Sequence, residues 1–227
     1  MEAIKNLSLV LIKPSRVFEW IRENPKWWVP LIVLIITSVL FAVISAPLSA
    51  DLNQKRILSS ASNASPGQLA KAKEIMKSPI LPVIAAVSAF IGIIIAILIQ
   101  SGLLHLGAYA FGGRAKFTVG IATVAYAQVP IIIQQIIQSI YMATSRNLAA
   151  SGLSALLPID QITTPLGVFL GRIDIFSLWS IILLIIGFSV TYKITKGKAT
   201  IITAGYWVLG TVFTVLPVLI STAFRTA

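Results

Sequence analysis

The sequence predicts an all-α fold, a polytopic membrane protein with five transmembrane helices and an N-terminal amphipathic interfacial helix. Three observations carry that expectation. Only 11% of the 227 residues are charged while 57% are hydrophobic, and mean hydropathy is +0.92; a water-soluble domain carries about 25% charged residues, because its surface must face water. Asp, Glu, Lys and Arg are absent from long runs that recur along the chain. The basic residues, 18 Lys plus Arg against 7 Asp plus Glu, gather in the connections between those runs, where they meet anionic lipid headgroups. That placement accounts for a pI near 10.2 without nucleic acid, since no folded polar domain remains to bind it.

A hydrocarbon core of about 30 Å takes roughly 20 apolar residues to cross as a helix. The uncharged runs are 27–50, 78–113, 117–145, 175–192 and 199–224, and the spans expected in them are about 27–48, 80–109, 118–143, 174–192 and 199–223. Pro79 and Pro82 suit the first turn of the second span, where a missing N–H costs nothing. The fourth is the shortest, bounded by Asp174 and Lys193, with Trp179 and Tyr192 near the levels that aromatic side chains prefer. Pro130 and Pro217 fall inside the third and fifth runs and predict kinks. Ala85 with Ala89, and Gly92 with Ala96, have the small-residue spacing of close helix packing.

Residues 1–26 form a separate cytoplasmic amphipathic segment, and 27–227 the membrane domain. Leu7 to Ile12 is too short for the core of a signal peptide and is followed by Lys13 and Pro14. From Pro14, the apolar positions Val17, Phe18 and Ile21 have helical spacing among Arg16, Glu19, Arg22 and Glu23, and Asn24-Pro25 ends the pattern. A helix lying flat on the membrane is expected; the alternative is a helix packed into the bundle. In the polar stretch 51–77, Ser65-Pro66-Gly67-Gln68 has the form of a capping box opening a short helix with Leu69, Ala72, Ile75 and Met76 on one side. Between the third and fourth spans, 147–172 carries apolar residues interrupted by Pro158 and Pro165. It reads as a segment dipping into the interface or lying across the bundle, with a proline-broken sixth span as the alternative. Counting basic residues on each side gives ten against eight, which leans toward a cytoplasmic N-terminus and an external C-terminus.

Catalysis inside a membrane needs residues that are missing here. With no cysteine there is no thiolate metal site, disulfide or cysteine nucleophile. A single histidine cannot make a His-Glu-x-x-His zinc site, and Asp174 has no membrane aspartate beside it. No Gly-x-Ser-x-Gly turn presents a serine, and Gly112-Gly113-Arg114 lacks the flanks of a phosphate loop. No enzyme, metal or cofactor is expected. What remains is a polar sector, with Gln100 and His105 in the second run and Tyr126, Gln128, Gln134, Gln135 and Gln138 in the third. At 100° per residue, Gln128 and Gln135 lie about 20° apart and Gln138 about 60° further round. These amides suit interhelical hydrogen bonding at about 0.6 kcal/mol each, or else a hydrated path for a solute, ion or lipid headgroup. His105 shares its face with Ser101 and Tyr109, one turn either side, and reads as a hydrogen-bonded structural histidine.

The order of motifs resembles the Yip1 domain family, particularly its bacterial and archaeal members. An amphipathic Pro14 to Trp20 precedes Pro25-Lys26-Trp27-Trp28-Val29-Pro30 and the first span. Gly112-Gly113-Arg114-Ala115-Lys116-Phe117 is similar to the family's Gly-Gly turn, and Ala125-Tyr126-Ala127-Gln128-Val129-Pro130 to its Tyr and Pro motif. Asp174, Phe176 and Trp179 match its Asp-x-Phe-x-x-Trp pattern. The resemblance implies five spans, a cytoplasmic N-terminus and the plasma membrane of a bacterium or archaeon. Eukaryotic relatives associate with Rab GTPases in vesicle traffic. That role is not expected here, because only 26 residues precede Trp27 and the Asp-Leu-Tyr-Gly-Pro motif is absent.

The function expected is a non-enzymatic one, exercised through contacts with the bilayer, with other membrane proteins or with a second copy of the chain. Arg114, Lys116, Lys193, Lys196 and Lys198 would form its cytoplasmic basic face. The alternative is a small transporter, channel or lipid-translocating protein using the polar sector.

Overall fold

Two prolines divide the N-terminal segment. In the computed structural model, which describes residues 2–59, 80–158 and 161–226, α1 (Glu2–Ile12) stops before Lys13. Lys13 takes φ −132° and ψ 59°, because the ring of a following proline crowds a helical backbone. α2 (Pro14–Glu23) then starts with proline at its first position and ends at Asn24, just ahead of Pro25.

Both helices bury one side. Ala3 and Val10 of α1 and Val17, Phe18 and Ile21 of α2 are buried, the last three at 1%, 0% and 0% exposure. α2 packs against Phe117–Ala127 and Ile175–Thr191. The apolar stripe expected to rest on lipid is therefore covered by protein, and the packed alternative replaces the interfacial helix. The physical reason lies at Gly187. A Cβ built there would come within 2.6 Å of Thr123 Cγ2 and 2.9 Å of Phe18 Cε1, so the bare backbone makes the groove that receives the Phe18 ring. α1 is a helix that the sequence reading did not separate from the rest of the segment.

Then follow α3 (Trp28–Ser59), α4 (Leu81–Ala110), α5 (Phe117–Ala127), α6 (Val129–Ser145), a 3₁₀ turn at Gly152–Leu156, α7 (Pro165–Gly171), α8 (Ile175–Thr191) and α9 (Lys196–Thr226). The fold is all-α among the described residues. Four stretches are long and apolar enough to cross a membrane: Trp28–Ala50, Leu81–Ala110, Phe117–Ser145 and Lys196–Ala223. The expected fourth span, α8, has 17 residues, about 26 Å at 1.5 Å per residue. The five expected spans thus become four plus one shorter apolar helix. Its ends are set by local chemistry. Asp174 Oδ1 accepts the N–H groups of Phe176 and Ser177, each at 2.9 Å, and the Ser177 hydroxyl donates to Asp174 Oδ2. At the other end the chain turns through Lys193 with φ +55°.

Three further expectations fare differently. α3 stays helical to Ser59, past the start of the expected loop at Asp51. The Ser65 capping box and Pro79 lie outside the described residues. The stretch 147–172 holds only the 3₁₀ turn and seven-residue α7 among the described residues, so it is no sixth span. α7 packs against α9, and Arg172 Nε donates to Thr211 Oγ1 at 3.0 Å while its Nη1 donates to Thr214 Oγ1 at 3.2 Å.

The described chain forms two compact units. In the first, residues 1–32, 96–133 and 150–227, α8 is the centre, flanked by α2, α5 and α9. Ser180, Leu183, Leu184, Gly187, Phe188 and Thr191 are its buried residues. The second comprises residues 33–95 and 134–149. Its part of α4 exposes Val83, Ile84, Val87, Phe90 and Ile91, a surface that acyl chains solvate and water does not.

Candidate functional site

The expected basic face is built on two turns. α4 ends in a left-handed residue: Gly112 has φ +88°, and its N–H donates to Tyr109 O at 2.9 Å while that of Gly113 donates to Ala108 O at 2.8 Å. This is the paired C-terminal closure that glycine permits without steric cost. Gly113 is needed for another reason. A Cβ there would lie 2.9 Å from Ala108 O and 3.0 Å from both Tyr192 Cβ and Ile194 Cγ2. The turn after α4 is thus pressed against the turn after α8, and the Arg114 N–H donates across to Tyr192 O at 3.4 Å. Lys198 Nζ completes the link by donating to Phe111 O at 3.0 Å.

Arg114 folds back over its own helix end. Its Nη1 donates to Gly113 O at 2.8 Å, and its guanidinium carbon lies 5.0 Å from the Tyr109 ring centre. Arg114 and Lys198 both set positive charge at the C-terminus of α4, where the helix dipole favours it. Arg114, Lys116, Lys193, Lys196 and Lys198 are all exposed. The five residues belong to two turns held together by backbone and side-chain contacts.

The polar sector is resolved into separate bonded groups. In the first unit, Gln128 Nε2 donates to Gln100 Oε1 at 2.8 Å. In the second, Gln135 Oε1 accepts from Thr37 Oγ1 at 3.0 Å, and Gln135 Nε2 donates to Ser38 Oγ at 3.1 Å. Gln134 and Gln138 are half-buried on α6 outside these pairs. Gln100 was singled out from the sequence among the polar residues of the second run; Thr37 and Ser38 were not, although adjacent hydroxyls in an apolar run are a signal for such a partner.

His105 and Tyr192 form one bonded pair, Nδ1 to hydroxyl, at 2.5 Å. The imidazole also lies tilted at 44° to the Tyr109 ring, 4.7 Å away, and meets Phe117 edge-on at 5.3 Å. Ser101, expected as a partner, is fully buried with no hydrogen bond among the described residues. Tyr192, expected at the membrane interface, is 1% exposed. Gly120 makes room for it, since a Cβ there would meet the Tyr192 hydroxyl at 2.6 Å.

The remaining motif positions hold helices in place. Tyr126 is fully buried, and its hydroxyl donates to Ala3 O of α1 at 3.1 Å. Pro130 sits in the first turn of α6, so the expected kink is a break at Gln128, with φ −82° and ψ 0°. Asp174 caps α8, with Phe176 and Trp179 half-buried behind it. No group of three or more metal-ligating side chains occurs among the described residues.

The Yip1 domain matches residues 8–216 of the chain. No curated protein and no solved structure matches it at a significant level.

Proposed function

Given that this chain belongs to the Yip1 domain family, and is a multi-span membrane protein, we propose that it acts without catalysis, by presenting a basic face to other membrane proteins or to lipid. The reading rests on one observation above all. The Gly112–Gly113 turn is seated on Tyr192 and Ile194, and this brings five exposed cations from separate parts of the sequence onto joined turns. A rigid cluster loses less conformational freedom on binding than scattered lysines do. The pairing of Gln128 with Gln100, and of Gln135 with Thr37 and Ser38, supports contact rather than transport. Amides that satisfy one another leave fewer polar groups to line a wet path. On this reading α8 crosses the membrane, both turns and the N-terminus are cytoplasmic, and the C-terminus is external.

A photo-crosslinking amino acid placed at Lys116 or Lys196, in native membranes, tests it. Discrete adducts are expected from both positions and none from Phe213, an apolar side chain 73% exposed on α9. Equal adducts from all three positions, or none from the turns, would defeat the reading.

A further inference from the structure

We propose that a cleft between α1 and α2 binds the phosphate of an anionic phospholipid headgroup. The cleft has a volume of roughly 370 Å³ and is lined by Lys5, Asn6, Leu9, Lys13, Arg16 and Trp20, with Glu2 as the one carboxylate. Its shape follows from helix periodicity. Glu2, Lys5, Asn6 and Leu9 recur at the three- and four-residue spacing that defines one side of α1. Arg16 and Trp20 lie one turn apart on α2, and Lys13 occupies the proline-enforced bend between the helices. Each helix buries part of its apolar surface, Ala3 and Val10 from α1 and Val17, Phe18 and Ile21 from α2. The polar sides are left to share the cleft.

Two features decide what fills it. The first is charge: three cations against one carboxylate, and Lys5, Lys13 and Arg16 form no ion pair among the described residues. The second is position. The Ala3 carbonyl is bonded to Tyr126, nine residues along α5 from Phe117, or about 14 Å at the helical rise. Phe18 lies against Gly187, within α8 rather than past its end. The cleft therefore stands beside apolar helices and not out beyond their termini. Lys5, Lys13 and Arg16 are exposed there, free to meet an anion, and basic side chains beside a membrane draw anionic lipid. In a bilayer the anion available at that boundary is the lipid phosphate. Asn6 offers an amide donor to the same oxygens, and Trp20 is of the type that settles at headgroup level. Ile4 and Ile12 of α1 are 66% and 75% exposed, an apolar surface next to the cleft for the acyl chains.

The experiment is native mass spectrometry of the full chain in detergent, with equimolar phosphatidylglycerol and phosphatidylcholine added. We expect the wild-type protein to retain phosphatidylglycerol about ten-fold over phosphatidylcholine, the factor that a modest gain from several cations provides. Lys5→Gln, Lys13→Gln and Arg16→Gln combined should bring the two lipids near parity. Arg114→Gln, Lys193→Gln and Lys196→Gln combined should keep the preference, which separates this cleft from the face formed by the turns. Parity in the wild type overturns the proposal, and so does a preference that survives in the cleft variant or vanishes equally in both variants. Displacement of the lipid by millimolar inorganic phosphate also overturns it, marking a site for a free anion instead. If the triple cleft variant does not fold, Lys5→Gln and Arg16→Gln singly should each lower the preference, and a preference unchanged in both overturns the proposal.

Discussion

The hydroxyl of Tyr126 and the carbonyl of Ala3 are joined at 3.1 Å, across 123 positions of sequence. This bond ties α1 to α5, and both groups are buried. Tyr126→Phe should remove about 1 kcal/mol, concentrated on α1 rather than spread over the protein. Hydrogen exchange in detergent should show residues 2–12 opening several-fold faster, with α8 unchanged. Uniform acceleration across both helices would mean that the bond supports the whole first unit.

The two glycines after α4 should fail differently when replaced. Gly112→Ala forces a Cβ into φ +88°, a cost of about 1 kcal/mol with the neighbouring turn left in place. Gly113→Val drives side-chain atoms into Ala108 O, Tyr192 and Ile194, costing roughly 1–3 kcal/mol and parting the turns. Thermal unfolding in detergent should rank Gly113→Val below Gly112→Ala. Only the valine variant should disturb the His105–Tyr192 pair, read by the proton resonances of the histidine ring.

Gln100 and Gln128 form a closed pair, so a double-mutant cycle with leucine should return a coupling of about 0.6 kcal/mol. Either single change leaves one amide without its partner and should cost more than half the double. A Gln128→Leu and Gln135→Leu protein reconstituted in liposomes should also pass solutes at the wild-type rate. A fall in flux would revive transport through the polar sector.

Since the chain has no cysteine, single cysteines can report the side of the membrane. Arg114→Cys and Lys196→Cys should both resist an impermeant maleimide added to intact cells, whereas Arg146→Cys should react. Labelling at position 196 with protection at 114 would separate the two turns, contrary to the contact between Gly113 and Tyr192.

The sequence made the long apolar helices legible because crossing a membrane demands uninterrupted runs, and their ends are marked by residues such as Asp174 and Gly112. The basic turns were legible for the same reason. What α2 touches was not. Val17, Phe18 and Ile21 make the same stripe whether lipid or protein covers it, and the decisive features, Gly187 and Thr123, lie more than 100 residues away. Tyr192 misled in a similar way. Beside Lys193 it has the local look of an interfacial anchor, and only the meeting of two distant turns buries it. Pro130 was correctly marked as a disturbance, but a proline at a helix start costs nothing, so the chain breaks at Gln128 instead of bending.

The centrality of α8 bears on how the protein is made. Of its three neighbours, α2 and α5 leave the ribosome earlier and only α9 follows. At 17 residues α8 stands at the short end of what a span requires, so the nascent helix gains added hold by docking on partners already synthesised. The N-terminal helices then behave as a built-in assembly aid. A chain deprived of them would present the bare Gly187 surface to quality-control proteases before synthesis of the last helix was over.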